Sequence, residues 1–144
     1  MFRGNHPARV DEKGRLKLPA EFKRTCDELY GPQFYITSTD GLRAEVYPMK
    51  EWEKIEAQLA DMAGPEKNRL LFAVSRYGQA ADMDAQGRLL IPQDLRKKAG
   101  LTGDAAVLGM QTHLTVIDAV VLDKSLEAHP LTDEDLAILK IPGL

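Results

Sequence analysis

The sequence predicts an α+β protein made of two pseudo-symmetric, β-rich units joined by helices. Three observations carry this prediction. The stretch VDEKGRLKLP, beginning at Val10, recurs 73 positions on as MDAQGRLLIP, beginning at Met83, with five of ten residues identical. Short alternating runs of strand type follow the repeated glycines. Between the copies lies a single-copy segment with helical apolar spacing. Two copies are too few for a solenoid, so they are read as one supersecondary unit used twice.

Each copy has the same plan. A strand ending at Val10 turns through Asp11-Glu12-Lys13-Gly14. Asp11 can accept backbone hydrogen bonds there, and Gly14 can take a positive φ. Alternation in Arg15-Leu16-Lys17-Leu18 puts both leucines on one face of a second strand and both cations on the other. Pro19 suits the first turn of a helix with Phe22, Cys26 and Leu29 on its apolar side, stopped at Gly31. FYITS and AEVYP then flank Asp40-Gly41, a hairpin signal, and AAVLG and LTVID take comparable places in the second copy. In the single-copy segment, Trp52, Ile55, Leu59 and Met62 mark one amphipathic helix. Gly64-Pro65 ends it and starts another, whose stripe runs through Leu71, Val74 and Tyr77. A short helix is expected from Thr132, with acidic residues in its first turn.

With 144 residues, 44% hydrophobic and 28% charged, the chain suits one domain or two very small units sharing a core. The opening MFRGNHPARVDEKGR has no signal-peptide stretch, and the longest apolar run, LLFAV at 70–74, is too short to cross a bilayer. A soluble, cytoplasmic protein without a membrane partner is expected. The one cysteine, Cys26, is read as a small core residue.

The net charge of −3 hides a separation. Residues 1–24 hold seven Lys or Arg against three acids, net +4, and residues 83–100 hold four against two, net +2. Cationic charge therefore gathers on the repeats, as an anionic partner requires. No metal, nucleophile or phosphate-loop motif is present, and the three histidines are scattered. Asp11 and Asp84 are each followed four residues later by an arginine that keeps them ionised, so catalysis, a cofactor and a small-molecule substrate are not expected.

A single D-x-x-G-R is a weak signal, since Asp and Gly are common in turns. Its repetition suggests that Asp11, Arg15, Asp84 and Arg88 share one network. The copies also differ: Lys13 and Lys17 of the first become Gln86 and Leu90 in the second. An outward Leu90 suggests a protein-covered second face. The first face, with Arg15, Lys13, Lys17, Arg9 and Arg3, is then the better candidate for a phosphate-facing surface, and Asp11, Gly14, Asp84, Gly87 and Arg88 are structural.

MFRG at the start, D-E-K-G-R-L-x-L-P, Y-P-x-x-E-W at 47–52 and D-x-x-G-R-L-L-I-P at 84–92 together resemble the MraZ family. These are bacterial transcriptional regulators with two SpoVT-AbrB domains, encoded with cell-division and cell-wall genes. The resemblance spans residues 1 to about 122. It implies swapped-hairpin units packed as an internal pseudo-dimer, a ring-shaped homo-oligomer, and nucleoid association. It also implies binding to double-stranded DNA at short direct repeats upstream of the protein's own operon. On it the chain divides into a first SpoVT-AbrB domain at 1–53, a helical connector at 54–81, a second domain at 82–125 and a tail at 126–144. Where the family usually has an aromatic near the end of the second hairpin, this chain reads Thr115-Val116-Ile117-Asp118. Two rivals use the same residues otherwise. One is a ring-shaped interaction scaffold whose basic turns serve assembly. The other is an antitoxin-like protein, for which the 14 residues after Pro130 are short.

Overall fold

A computed structural model describes all of residues 1–144. The first unit runs β1 (Phe2–Val10), β2 (Arg15–Lys17), α1 (Ala20–Leu29), β3 (Gln33–Thr37), β4 (Ala44–Pro48) and α2 (Met49–Ala60). After α3 (Pro65–Arg76), the second runs β5 (Gln79–Asp82), β6 (Arg88–Leu90), α4 (Gln93–Ala99), β7 (Gly103–Gln111), β8 (Leu114–Ile117) and α5 (Ala119–Ala128), followed by α6 (Asp133–Leu139).

All eight strands form one antiparallel sheet in the order β5-β3-β4-β8-β7-β1-β2-β6. The units exchange their first strands. β1 lies along β7 for nine residues, from Phe2 opposite Gln111 to Val10 opposite Gly103, and β5 lies along β3. At the open seam Asp84 N donates to Arg88 O at 3.0 Å, matching Asp11 N to Arg15 O at 2.9 Å, so the sheet nearly closes. This is the predicted α+β pair of swapped units. The exchange satisfies backbone groups that each short hairpin would leave on an open edge.

The pseudo-twofold passes through the β2–β6 ribbon, where Leu16 stands opposite Leu89. Both are fully buried with Phe34, Ile36, Ile91, Leu95, Val107 and Val116. Cys26 lies in the same core, and burial pushes its thiol up to about 12. At the second crossing Val46 meets Leu114. Here Trp52 of α2 stacks on Tyr35 at 4.7 Å and leans on Tyr47, which stacks on His113 of the other unit at 4.3 Å. Glu45 accepts a hydrogen bond from Thr115 Oγ1 at 2.6 Å and sits 2.8 Å from His113 Nε2, tying the units with polar contacts too.

Several local expectations shift by a residue or a face. Pro19 stands just before its helix rather than within the first turn, and Pro48 and Pro92 do the same for α2 and α4. All three have extended ψ, which suits the residue preceding a helix. Leu29 is exposed, because Tyr30 turns inward to stack on Phe2 at 6.0 Å. Met62 is exposed because α2 ends at Ala60, before the stripe reaches it. Phe22, Trp52, Leu59 and Val74 are buried as expected. Thr132 caps α6 by accepting from Asp135 N at 3.2 Å, and Asp135 reciprocates by accepting from Thr132 N at 3.0 Å.

Because each unit supplies the other's outer strand, residues 1–75 should show no cooperative unfolding transition as a separate chain. In the full chain, Leu16→Ala or Leu89→Ala should cost about 2–5 kcal/mol in urea unfolding, the range for a fully buried leucine. A loss below ~1 kcal/mol at both sites would mean that the pseudo-twofold is not the centre of the core.

Candidate nucleic-acid interface

The two repeated turns are built alike. Asp11 Oδ1 accepts from Lys13 N at 3.0 Å and Arg15 N at 2.9 Å, and its Oδ2 accepts from Arg15 Nε at 2.8 Å. Asp84 Oδ1 accepts from Gln86 N and Arg88 N, both at 2.9 Å, and its Oδ2 from Arg88 Nε at 2.8 Å. The backbone amides, led by that of the arginine, together with the guanidinium hold each carboxylate below the ordinary aspartate value of 3.8. Gly14 and Gly87 close the turns at φ +85° and +76°, where a side chain is strained.

The expected single network of Asp11, Arg15, Asp84 and Arg88 is instead two separate pairs. Ribbon register explains why. Arg15 lies opposite Leu90 and Lys17 opposite Arg88, so each arginine meets its own turn's aspartate and neither meets the other's.

The same register puts the two faces on one side of the ribbon. With Leu16 and Leu89 inward, alternation sends Arg15, Lys17, Arg88 and Leu90 to the one outer face of the ribbon. Leu90 is 53% exposed, and no element of the chain covers it. Arg15 and Arg88 are nearly equivalent, with side chains 32% and 27% exposed. The pseudo-twofold thus merges the two faces that the sequence suggested were distinct.

Each guanidinium uses only Nε for its carboxylate, leaving both Nη groups for an outside acceptor. A planar fork held by its own turn loses little freedom on meeting a phosphate or a guanine edge. Lys13 and Lys17 enter no ion pair and are exposed beside the fork. Arg9 lies at the strand end before the turn, paired with Asp104 at 3.2 Å. Arg3 stands opposite Met110 at the far end of β1, roughly 23 Å from Val10 at ~3.3 Å per residue. The structure therefore gathers Lys13, Arg15 and Lys17, sets Arg9 at their margin and leaves Arg3 distant.

Two cations absent from the expected set join this region. A β-carbon on Gly14 would collide with the Arg96 guanidinium, and one on Gly87 would meet Lys23 Cδ at 2.9 Å. The covering is crossed: α4 of the second unit lies over the first turn, and α1 of the first over the second. Arg96 is oriented by donating from Nε to Ile91 O at 2.9 Å, and Lys23 pairs with Asp27 at 2.7 Å. In the repeat alignment Lys23 already matches Arg96. That match was the available signal, but only the crossing puts each cation over the other unit's loop.

Fold and site define a duplicated swapped-hairpin protein with a cationic ribbon on its pseudo-twofold. A family model described as "MraZ protein, putative antitoxin-like" matches residues 1–73 and 78–129. The chain belongs to the MraZ family. It is 55% identical to "Transcriptional regulator MraZ" of Acidobacterium capsulatum and 46% identical to the protein of that name from Koribacter versatilis, each over 100% of both chains. The Neisseria meningitidis serogroup A protein, also so named, is 32% identical over 79% of this chain and 78% of its own. No helix is long and apolar enough to cross a membrane.

Depressed aspartate values make these turns acid-sensitive. Their contribution is present above the unfolded aspartate value and is lost as pH falls through the lower folded one. Asp11→Asn and Asp84→Asn should therefore lower the melting temperature at neutral pH. They should also flatten its fall as pH drops below the ordinary aspartate value of 3.8. Wild-type and variant profiles that run parallel through that window would show that the turns do not depend on the charge.

Proposed function

We propose that this chain is a sequence-specific, DNA-binding transcriptional regulator that does no chemistry. The observation that carries the reading is the convergence of Arg15, Lys17 and Arg88, from both units, on the outer face of one rigid ribbon. Lys13, Lys23 and Arg96 flank it, and the two aspartates near it are engaged with its own arginines and turn amides. The names of the relatives support a regulator. MraZ membership supports a ring-shaped homo-oligomer, nucleoid-associated in the cytoplasm, that recognises short direct repeats upstream of its own operon among cell-division and cell-wall genes. A single ribbon offers only a few phosphate contacts, which bind weakly at physiological salt. Several ribbons in one oligomer add their contacts through effective concentration.

The reading is tested by recovering and sequencing genomic fragments bound by the purified protein. A short repeated site upstream of the protein's own gene is expected, and enrichment without any shared sequence would sink specific recognition. On that site, Arg15→Ala should weaken binding by roughly 1–3 kcal/mol with relaxed sequence preference if its fork meets a guanine. If the fork meets phosphate, the loss should be uniform across sequences and the salt slope should fall by about one. Because Arg88 shares the outer face, Arg88→Ala should also weaken binding in an oligomer of unchanged size. Normal affinity for Arg88→Ala, beside a loss for Arg15→Ala, would confine the contact to the first turn.

A further inference from the structure

Three of the four phenylalanines, Phe2, Phe22 and Phe34, lie in the core; Phe72 on α3 is 77% exposed. It does not stand alone. Leu70 and Leu71 beside it are partly open, and Leu71 lines a groove of about 290 Å³ between α2 and α3 floored by Tyr35, Trp52, Leu59 and Val74. Phe72 lines the neighbouring hollow on α3 with Asn68 and Arg76, and the two share Leu71 and Ser75. Scattered apolar side chains need no explanation, but a large exposed aromatic next to an apolar groove marks a contact surface.

The other unaccounted apolar surface is on α6 and the residues after it. Ile138 is 76% exposed, and Leu131, Leu139, Ile141 and Leu144 are exposed with it. Yet this segment is built to be helical: Thr132 and Asp135 form a reciprocal cap at its start, and Lys140 ends it in the left-handed region at φ 52°. Seven residues are too few to hold a helix in water by themselves. Such a cap on a helix that touches almost nothing in its own chain implies a surface elsewhere that receives it.

Topology shows the likeness between donor and receiver. α3 follows α2 after a four-residue link, and α6 follows α5 after a link of the same length. α3 is fastened: Thr37 Oγ1 donates to Val74 O at 2.7 Å, and the chain runs on into β5, which pairs with β3. α6 has neither fastening. The charges are complementary. On α3, Lys67 beside the groove enters no ion pair, while Arg69 pairs with Glu66 and Arg76 with Asp94; residues 131–144 carry Asp133, Glu134 and Asp135 against Lys140.

We propose that residues 131–144 of one chain dock on the α2–α3 groove of a second copy, with Ile138 and Leu139 against Phe72 and Leu71 and the acidic first turn of α6 toward the cations of α3. The contact joins the second unit of one copy to the first unit of the next. It is heterologous, the kind of contact that generates a ring when its rotation closes. The inference rests on the proposed oligomer and adds one contact between its members, made by a segment beyond the residues the family model matches.

The test uses full-length chains. Phe72→Cys protein is mixed with Ile138→Cys, Leu139→Cys or Ile141→Cys protein and oxidised. Cys26 stays silent, being buried with its thiol held protonated. At least one mixture should give a disulfide-linked dimer, in about tenfold or greater yield over the same tail variants mixed with Leu42→Cys, an exposed loop control. Chains carrying Phe72→Cys together with a tail cysteine should form linked ladders. Dimer yields no higher than the control at all three positions, or bonds formed only within single chains, would overturn the docking. Light scattering on the wild type reports separately on the oligomer. A wild-type oligomer without these cross-links removes the tail contact alone, whereas a wild-type monomer removes the oligomer as well.

Discussion

Leu16 opposite Leu89 is the contact on which the rest of the molecule depends. Neither unit encloses a core alone: the cluster of buried apolar residues into which Leu16 and Leu89 pack is drawn from both units. Once these two leucines meet, register is fixed, because a slip of either strand by one residue would turn its leucine outward and send Arg15 or Arg88 into the core. The nine-residue ladder of β1 on β7 and the shorter one of β5 on β3 then follow from the same axis. Burial at that axis is also what holds the cationic face flat and outward, so core and site are opposite sides of one ribbon.

Much of this was legible in the sequence. Leu16, Leu18, Leu89 and Ile91 stand at alternating positions and are all buried, and Gly14 and Gly87 close turns with positive φ. The D-x-x-x-R pairs formed within each turn because their partners are local. Local chemistry is what a sequence records best.

What was not legible is what depends on the exchange of strands. Alternation is the same whether β1 lies on its own hairpin or on the other unit's, so the pattern could not show which helix covers which turn. Arg96 and Lys23 entered the site by that route. Leu90 shows a related limit of the pattern. Its outward direction was correct, but the cover inferred from its apolarity is not provided by the chain, and its neighbours across the ribbon are Arg15 and the cations beside it. Leu29 failed through competition, since Tyr30 had a better stacking partner in Phe2.

The crossed covering of the two glycines bears on how a duplicated chain can diverge. Gly14 lies under Arg96 and Gly87 under Lys23, so the residues that constrain one another are not those within a repeat but those at opposite ends of the exchange. Once two copies are fused in this arrangement, a change in one turn is felt first by a side chain on the other copy's helix. The pairing of position 14 with 96, and of 87 with 23, is therefore set by the exchange itself. It also makes the two halves unequal partners that can drift in sequence but cannot be replaced one at a time.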